Sequence, residues 1–561
     1  MEPALPTRSA SMHPILHVLV VGFHHKRGCQ VEYCYPPLKD NVVPDPDKDI
    51  PEQWTFLPSL ALPDGAHNVK DDVIYFLLPS LENPNRAVFG ISCYRQIAAN
   101  DLVSKDKDVT RSSVQKSVVV LSRIPLFGVL KAKLELITQT YFNELDFSKV
   151  EVLHQMYSNL GDLFNADFID THSAYMDISL TPLLNTFRHR FLILFKLILL
   201  EKRVMFDMFP VHFLGDIVLG LGSLFPMLID EGLFEAAAYS VRRPPTQEVN
   251  PEAGDAPRDN DKLGVDAVPV PKKSREEVMQ SMVDALDKII LDKADVEDAT
   301  EVTEKTDVEE AASKPNPSSF KTDAYGFPLS LFTKGSLFHP YLSISYLDMI
   351  RSDSTRAYCI GVTNAIFKTR RDIVDVIVTV DEKGEGQIEI LCPELKRQLA
   401  LTTQDLRFAD FILKMREMYK EPALWEGSCD WVRSQCHQYL VAMLNVASSD
   451  NAEAIAEFNE HFITALRTKH NFRVWSSGEH WACKEVPTAH PFAGQLSVND
   501  VFLRMGHYEQ GRRMISSLSN TGRYMTETGS RFKQGLSSWM RSTANRFNYD
   551  VNPENPTEEQ H

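Results

Sequence analysis

Residues 181–206 constrain this chain more than any other stretch. Thr181-Pro182-Leu183-Leu184 opens it, an apolar run from Phe191 to Leu200 follows, and Glu201-Lys202-Arg203 leads into Val204-Met205-Phe206. Leu184, Phe187, Phe191, Leu194, Phe195 and Ile198 recur at helical spacing, which predicts one long helix turning directly into a strand. Thr181 suits the N-cap and Pro182 the first helical position, while Lys202 and Arg203 suit the negative end of the helix dipole. The apolar run is short and holds Lys196, whereas a membrane span needs about 20 apolar residues. The segment therefore predicts a core helix in an α/β layer.

A chain of 561 residues exceeds one hydrophobic core, so several domains are expected. The net charge of -17 argues against nucleic acid as the main partner, because phosphate backbones demand a basic surface. Eight cysteines stand scattered without a C-x-x-C pair, which reads as free thiols in a reducing compartment. Ile15 to Phe23 contains His17 and runs into His24-His25-Lys26-Arg27, so it does not read as a signal peptide. A cytosolic protein is expected, with any membrane contact peripheral.

Residues 15–23 and 29–35 predict two strands around a tight turn, and 73–78 and 87–94 two more. Stretches near 110–121 and 125–142 read as helices. A second apolar helix is expected across 211–225, its Gly220 and Gly222 explained by close packing on a sheet. Residues 357–362 read as a buried strand, and 374–380 with 387–391 as a hairpin. From Thr402 the chain reads as mostly helical, with helices at 430–446 and 453–469.

Residues 244–319 carry 19 acids and 9 bases, with many prolines, the composition of a disordered insertion. Within it Ser274 to Glu277 has a capping-box pattern, and Val278, Met282, Leu286, Ile289 and Ile290 line one helical face. That island docks back on its own domain, serves a partner, or fails to hold as a helix; the pattern leaves all three open. Deleting the insertion is expected to spare the fold. The tail, 511–548, reverses the charge with seven bases against one acid and eleven Ser or Thr. Phe532, Leu536, Trp539, Met540 and Phe547 can share one helical face, so this segment is the candidate membrane contact, attracted to anionic lipid. A disordered tail or one docked on the protein itself are the alternatives. Gly522, Gly529 and Gly535 weaken the helix, which predicts folding only on binding.

Catalytic signatures are missing from the sequence. It contains no G-x-x-x-x-G-K-[ST], H-E-x-x-H or G-x-S-x-G run. His470, His480, Cys483 and His490 fit no metal-site spacing and read as loop residues, and His24-His25 as a surface turn. No cofactor, no metal and no covalent chemistry are expected.

Leu194-to-Phe206 (LFKLILLEKRVMF), with Leu224-Phe225-Pro226 after it, closely resembles the central signature of DENN-domain proteins. Ile15–Phe23 with Tyr33-Cys-Tyr-Pro-Pro37, Leu57–Gly65, Val88–Ser92, Lys116–Pro125 and Ile360–Val362 resemble other parts of that family. HVLVVGFHHKRGCQVEYCYPPL, LPDGAH, LRFADFILK and Asn471-Phe-Arg-Val-Trp475 are most similar to its late-secretory-pathway branch. The resemblance implies an α/β fold in three parts. A longin-like upstream module would span 13–165. A doubly wound α/β central module would span 170–243 and 320–400, split by the 244–319 insertion. A helical downstream module would span 402–500, with the basic amphipathic tail at 501–561. It also implies a role in late secretory or recycling traffic on the cytosolic face of Golgi, vesicle or endosome membranes. The implied partner is a Rab-type small GTPase, acted on by guanine-nucleotide exchange, a mechanism that needs no catalytic acid or base. A scaffold of the same fold that binds a GTPase or coat component without exchange is the alternative.

Overall fold

A computed structural model describes residues 13–39, 45–83, 85–104, 112–164, 175, 177–237, 322–419, 425–494, 500 and 503. The chain divides into a unit of residues 1–496 and one of 497–561, and all elements below belong to the first. That unit is mixed α/β, built on two five-stranded sheets.

The first sheet has the order β2-β1-β5-β4-β3, antiparallel throughout. Its strands are β1 (Ile15–His24), β2 (Gly28–Tyr35), β3 (Asp71–Pro79), β4 (Ala87–Ala98) and β5 (Ser113–Ser122). Helix α1 (Leu57–Ala61) lies between β2 and β3 in the chain. α2 (Phe127–Asn143) packs on β4 and β5, and α3 (Glu151–Leu163) on β1. The helix expected near 110–121 is therefore a correction: it is β5, the central strand. Val118 to Leu121 are all buried because β5 is covered on both faces, which erases the period-2 alternation that marks a half-exposed strand.

The long helix expected at 181–203 is also corrected. α4 (Thr181–Phe187) and α5 (Phe191–Leu199) are separated by a 3-10 turn at Arg188–Arg190, where Arg188 adopts φ 46°. Leu180 is the N-cap, one residue earlier than expected, and the Thr181 hydroxyl instead accepts from Arg416 at 2.9 Å. The apolar stripe survives the break. Leu184, Phe187, Phe191, Leu194 and Phe195 are wholly buried, each contributing about 1.5–3 kcal/mol.

The second sheet follows as β6 (Arg203–Asp207), β7 (Ser336–His339), β8 (Ala357–Val362), β9 (Val376–Val380) and β10 (Gly386–Ile390). Its order is β10-β9-β6-β8-β7, parallel except for the β9–β10 hairpin. α6 (Val211–Gly222) contacts β3 of the first sheet as well as β6 and β8 of the second. A Cβ on Gly222 would lie 3.2 Å from Phe338 of β7, the close approach expected there, whereas Gly220 faces the Ser179 carbonyl.

Beyond the second sheet come α7 (Pro393–Gln398), α8 (Thr403–Met418), α9 (Cys429–Ala447), α10 (Ala452–Glu457), α11 (Glu460–Arg467) and α12 (His470–Ser476). A capping box between Thr402 and Asp405 starts α8. The single helix expected at 453–469 is split by Asn459 at φ 74°, a region Asn tolerates better than most residues. Its amide donates to the carbonyls of Arg397 and Ala400 at 2.8 and 2.9 Å while its oxygen caps α11. Among the described residues no helix is long and apolar enough to cross a membrane.

Candidate functional site: the seam between the sheets

The LPDG turn at 62–65 sits at the carboxyl ends of β7 and β8. Gly65 turns the chain at φ +85°, the left-handed region glycine enters without penalty. The Asp64 N–H donates to the Tyr341 hydroxyl at 2.9 Å, and the Thr363 hydroxyl donates to the Asp64 carbonyl at 2.9 Å. The Asn364 amide donates to the Asp64 carboxylate at 3.2 Å. Open α/β sheets commonly hold ligands at the carboxyl ends of their strands. Here the protein's own loop occupies that position beside β8.

A second latch lies at the start of α6. The Asp72 carboxylate, on edge strand β3, accepts the Val211 and His212 N–H groups at 2.9 and 2.8 Å and meets His212 Nδ1 at 2.8 Å. An acid of one sheet thus caps a helix of the other, the favourable placement for negative charge. The hydrogen bond to Asp72 raises the His212 pKa above the ordinary histidine value, against the opposing effect of burial. Tyr75 packs over Gly215, where a Cβ would come within 2.5 Å of its ring, and Lys131 pairs with Asp216 at 3.3 Å. At the end of β6, burial raises the Asp207 pKa despite an ion pair with Lys368 at 3.1 Å.

Large apolar side chains remain exposed around these latches. Phe209 follows β6 and is 44% exposed, close to Gly65. Ile366, just after Asn364, is 51% exposed, and Phe56 packs edge-on against Tyr346 while staying 40% exposed.

Among the described residues, one constellation has the chemistry of an active site, and it is sealed. Lys196, from the middle of α5, lies 2.5 Å from Asp405, and neither side chain is exposed. Tyr439 donates to Asp405 at 2.7 Å, and His490 Nε2 lies 3.4 Å away. Burial alone would raise the Asp405 pKa, but Lys196 and His490 outweigh it and hold the carboxyl well below its usual range. Burial lowers both Lys196 and His490. With Lys196, Tyr439 and Asp405 all enclosed, no substrate can reach the set, and its work is to join α5 to α8 and α9. His490 is thus a buried partner of Asp405, not an ordinary loop histidine. His480 stacks on Trp475, and burial pushes the Cys34 thiol up to about 12, away from nucleophilic use.

Two distant motifs also meet. The Glu201 carboxylate accepts from the His470 N–H at 3.3 Å and from the Asn471 N–H and side-chain amide, both at 2.8 Å, capping α12. Trp475 of the same helix donates to the Tyr325 carbonyl at 2.9 Å.

The expected membrane-contact residues Phe532, Leu536, Trp539, Met540 and Phe547 lie outside the described residues, as does the 244–319 insertion. Sequence reasoning missed Phe56, Phe209 and Ile366, whose exposure depends on tertiary placement. Asp64 stood inside a motif noted only for its resemblance. Among the described residues no group of three His, Cys, Asp or Glu could hold a metal.

The fold and its seam define a two-sheet α/β protein with large apolar side chains exposed beside its latches. The chain belongs to the family of transport protein Avl9, whose profile matches residues 15–447. It is 28% identical over 493 residues to the late secretory pathway protein avl9 of Schizosaccharomyces pombe, covering 82% of this chain and 87% of that one. It is 27% identical over 514 residues to the late secretory pathway protein AVL9 of Saccharomyces cerevisiae, covering 82% of this chain and 58% of that longer one. The late-secretory branch to which the sequence motifs pointed is therefore the branch shown.

Proposed function

We propose that this chain regulates vesicle traffic in the late secretory or recycling pathway by acting on a Rab-type small GTPase as a guanine-nucleotide exchange factor. Membership in a transport family with late secretory pathway relatives supports the cellular role. The observation that carries the molecular reading is the seam. Latches at Asp64 and Asp72 join the two sheets, and Phe56, Phe209 and Ile366 stay exposed beside them. Exposed apolar side chains along a hydrogen-bonded seam suit a protein partner held across both sheets. In this reading the first sheet is the upstream DENN module, the second the central module and the helices after Thr402 the downstream module. Exchange by this route displaces segments of the GTPase and calls for no reactive side chain on the exchange factor. The basic tail around Trp539 would bring the protein to the cytosolic face of an anionic membrane.

The test is a panel of purified Rab proteins loaded with fluorescent GDP. Faster release from at least one member with the full chain is the expected result. Stable binding without release makes the protein a scaffold, and no binding removes the GTPase reading.

A further inference from the structure

Trp481 is 61% exposed, although the 3-10 turn it opens, Trp481–Glu485, is firmly seated. Ala482 and Cys483 are buried, and the Asn445 amide of α9 donates to the carbonyls of Cys483 and Val486 at 2.7 and 3.1 Å. His480, just before the turn, stacks on Trp475 with ring centroids 4.9 Å apart and meets the Trp475 carbonyl at 2.7 Å. Val474, the neighbour of Trp475 in α12, is 43% exposed. Two exposed apolar side chains thus flank one stacked pair. An indole held out on a fixed turn is the kind of anchor around which protein contacts are built.

The path of the chain says what covers it. The 244–319 insertion rejoins the fold at this place. Its return turn, Thr322–Tyr325, packs on Trp481–Glu485, and the Tyr325 carbonyl accepts from the Trp475 indole at 2.9 Å. The apolar stripe of the insertion, Val278 to Ile290, ends 31 residues before Thr322. A flexible chain of that length spans about 30 Å, which holds the stripe near the patch at an effective concentration approaching the millimolar range. On the other side, 40 residues separate Ala237 from Val278, about 130 Å when extended, so that tether does not prevent the approach. Charge does not select the occupant: Arg473 and Lys484 are exposed at the rim beside Glu479 and Glu485. The tether and the apolar stripe do.

We propose that residues 274–290 dock as a helix on the patch formed by Trp481 and Val474, with Met282, Leu286 and Ile289 turned toward the indole. The contact stands apart from the seam and does not depend on the GTPase reading, so a negative GTPase panel leaves it intact.

Hydrogen exchange on the full chain tests it. Amides of residues 278–290 should exchange roughly tenfold or more slowly than in a Trp481→Glu, Val474→Glu variant, because burial of the indole and the aliphatic stripe is lost there. Leu286→Glu with Ile289→Glu should remove the same protection from the other side of the contact. Unchanged protection of β5 in each variant shows that the fold is intact. A photoreactive benzoylphenylalanine in place of Trp481 identifies the occupant, and its crosslinks should map within residues 274–290 of the same chain. Fast exchange of 278–290 in the unaltered chain, protection that survives the Trp481 and Val474 substitutions, or crosslinks that fall in the 511–548 tail or a second copy would each overturn the proposal.

Discussion

The ammonium of Lys196 lies 2.5 Å from the Asp405 carboxylate, with both side chains completely enclosed. The pair ties α5 to the first turn of α8, and the same carboxylate holds the Thr402 N–H at 3.0 Å and the Tyr439 hydroxyl at 2.7 Å. Removing one partner of a buried ion pair leaves a desolvated charge. Lys196→Met should therefore destabilise the fold by about 3–5 kcal/mol. Adding Asp405→Asn should restore part of that loss, since the stranded charge is gone. Urea denaturation of both variants measures it, and a single variant within about 1 kcal/mol of wild type would refute the account.

Glu201 and Asn471 stand 270 residues apart yet share two hydrogen bonds at 2.8 Å. Glu201→Ala should cost about 1–2 kcal/mol, in the range of a lost N-cap. Hydrogen exchange gives the sharper readout. Amides at the start of α12 should lose protection while those of the first sheet keep theirs. Uniform loss across the chain would contradict a local capping role.

The Asp72–His212 latch carries a pH signature. The folded pKa of His212 is raised, so its contribution is fully present below the unfolded value of about 6.5 and is lost as pH rises through the folded value. His212 is half-exposed and solvent screens the pair, so the effect is small. The melting-temperature difference between wild type and His212→Gln should shrink as pH rises from about 6 to about 8.5. His17 and His490, which burial lowers, titrate in both proteins and cancel in the difference. A difference that is flat or grows with pH would rule the latch out.

The C-terminal segment supplies a prediction about membranes. In the full chain, Phe532→Glu with Trp539→Glu should abolish flotation on anionic vesicles, because both substitutions charge the face meant to enter the bilayer interface. Unchanged flotation would remove the amphipathic helix from the account.

Much of the architecture was legible in the residues, for identifiable reasons. β1, β2, β3, β4 and the β9–β10 hairpin announce themselves through β-branched runs bounded by turn residues. β5 failed because Val118 to Leu121 are buried on both faces, and such a run lacks the period that distinguishes strand from helix. The breaks at Arg188 and Asn459 failed because each is fixed by tertiary partners that neighbouring residues do not reveal. Lys196 was seen, but only as an argument against a membrane span; its partner is 209 residues away. The seam was legible as motifs and illegible as a site. LPDGAH and Ile360–Val362 were recognised separately, and only folding brings Asp64 to Thr363 and Asn364.

Nucleotide release tests the central claim most directly. With the full chain, at least one Rab protein should release fluorescent GDP faster, and Phe209→Asp with Ile366→Asp should abolish the acceleration without changing the melting temperature. Release from no member of the panel, or acceleration that survives both substitutions, would contradict a seam that grips a GTPase.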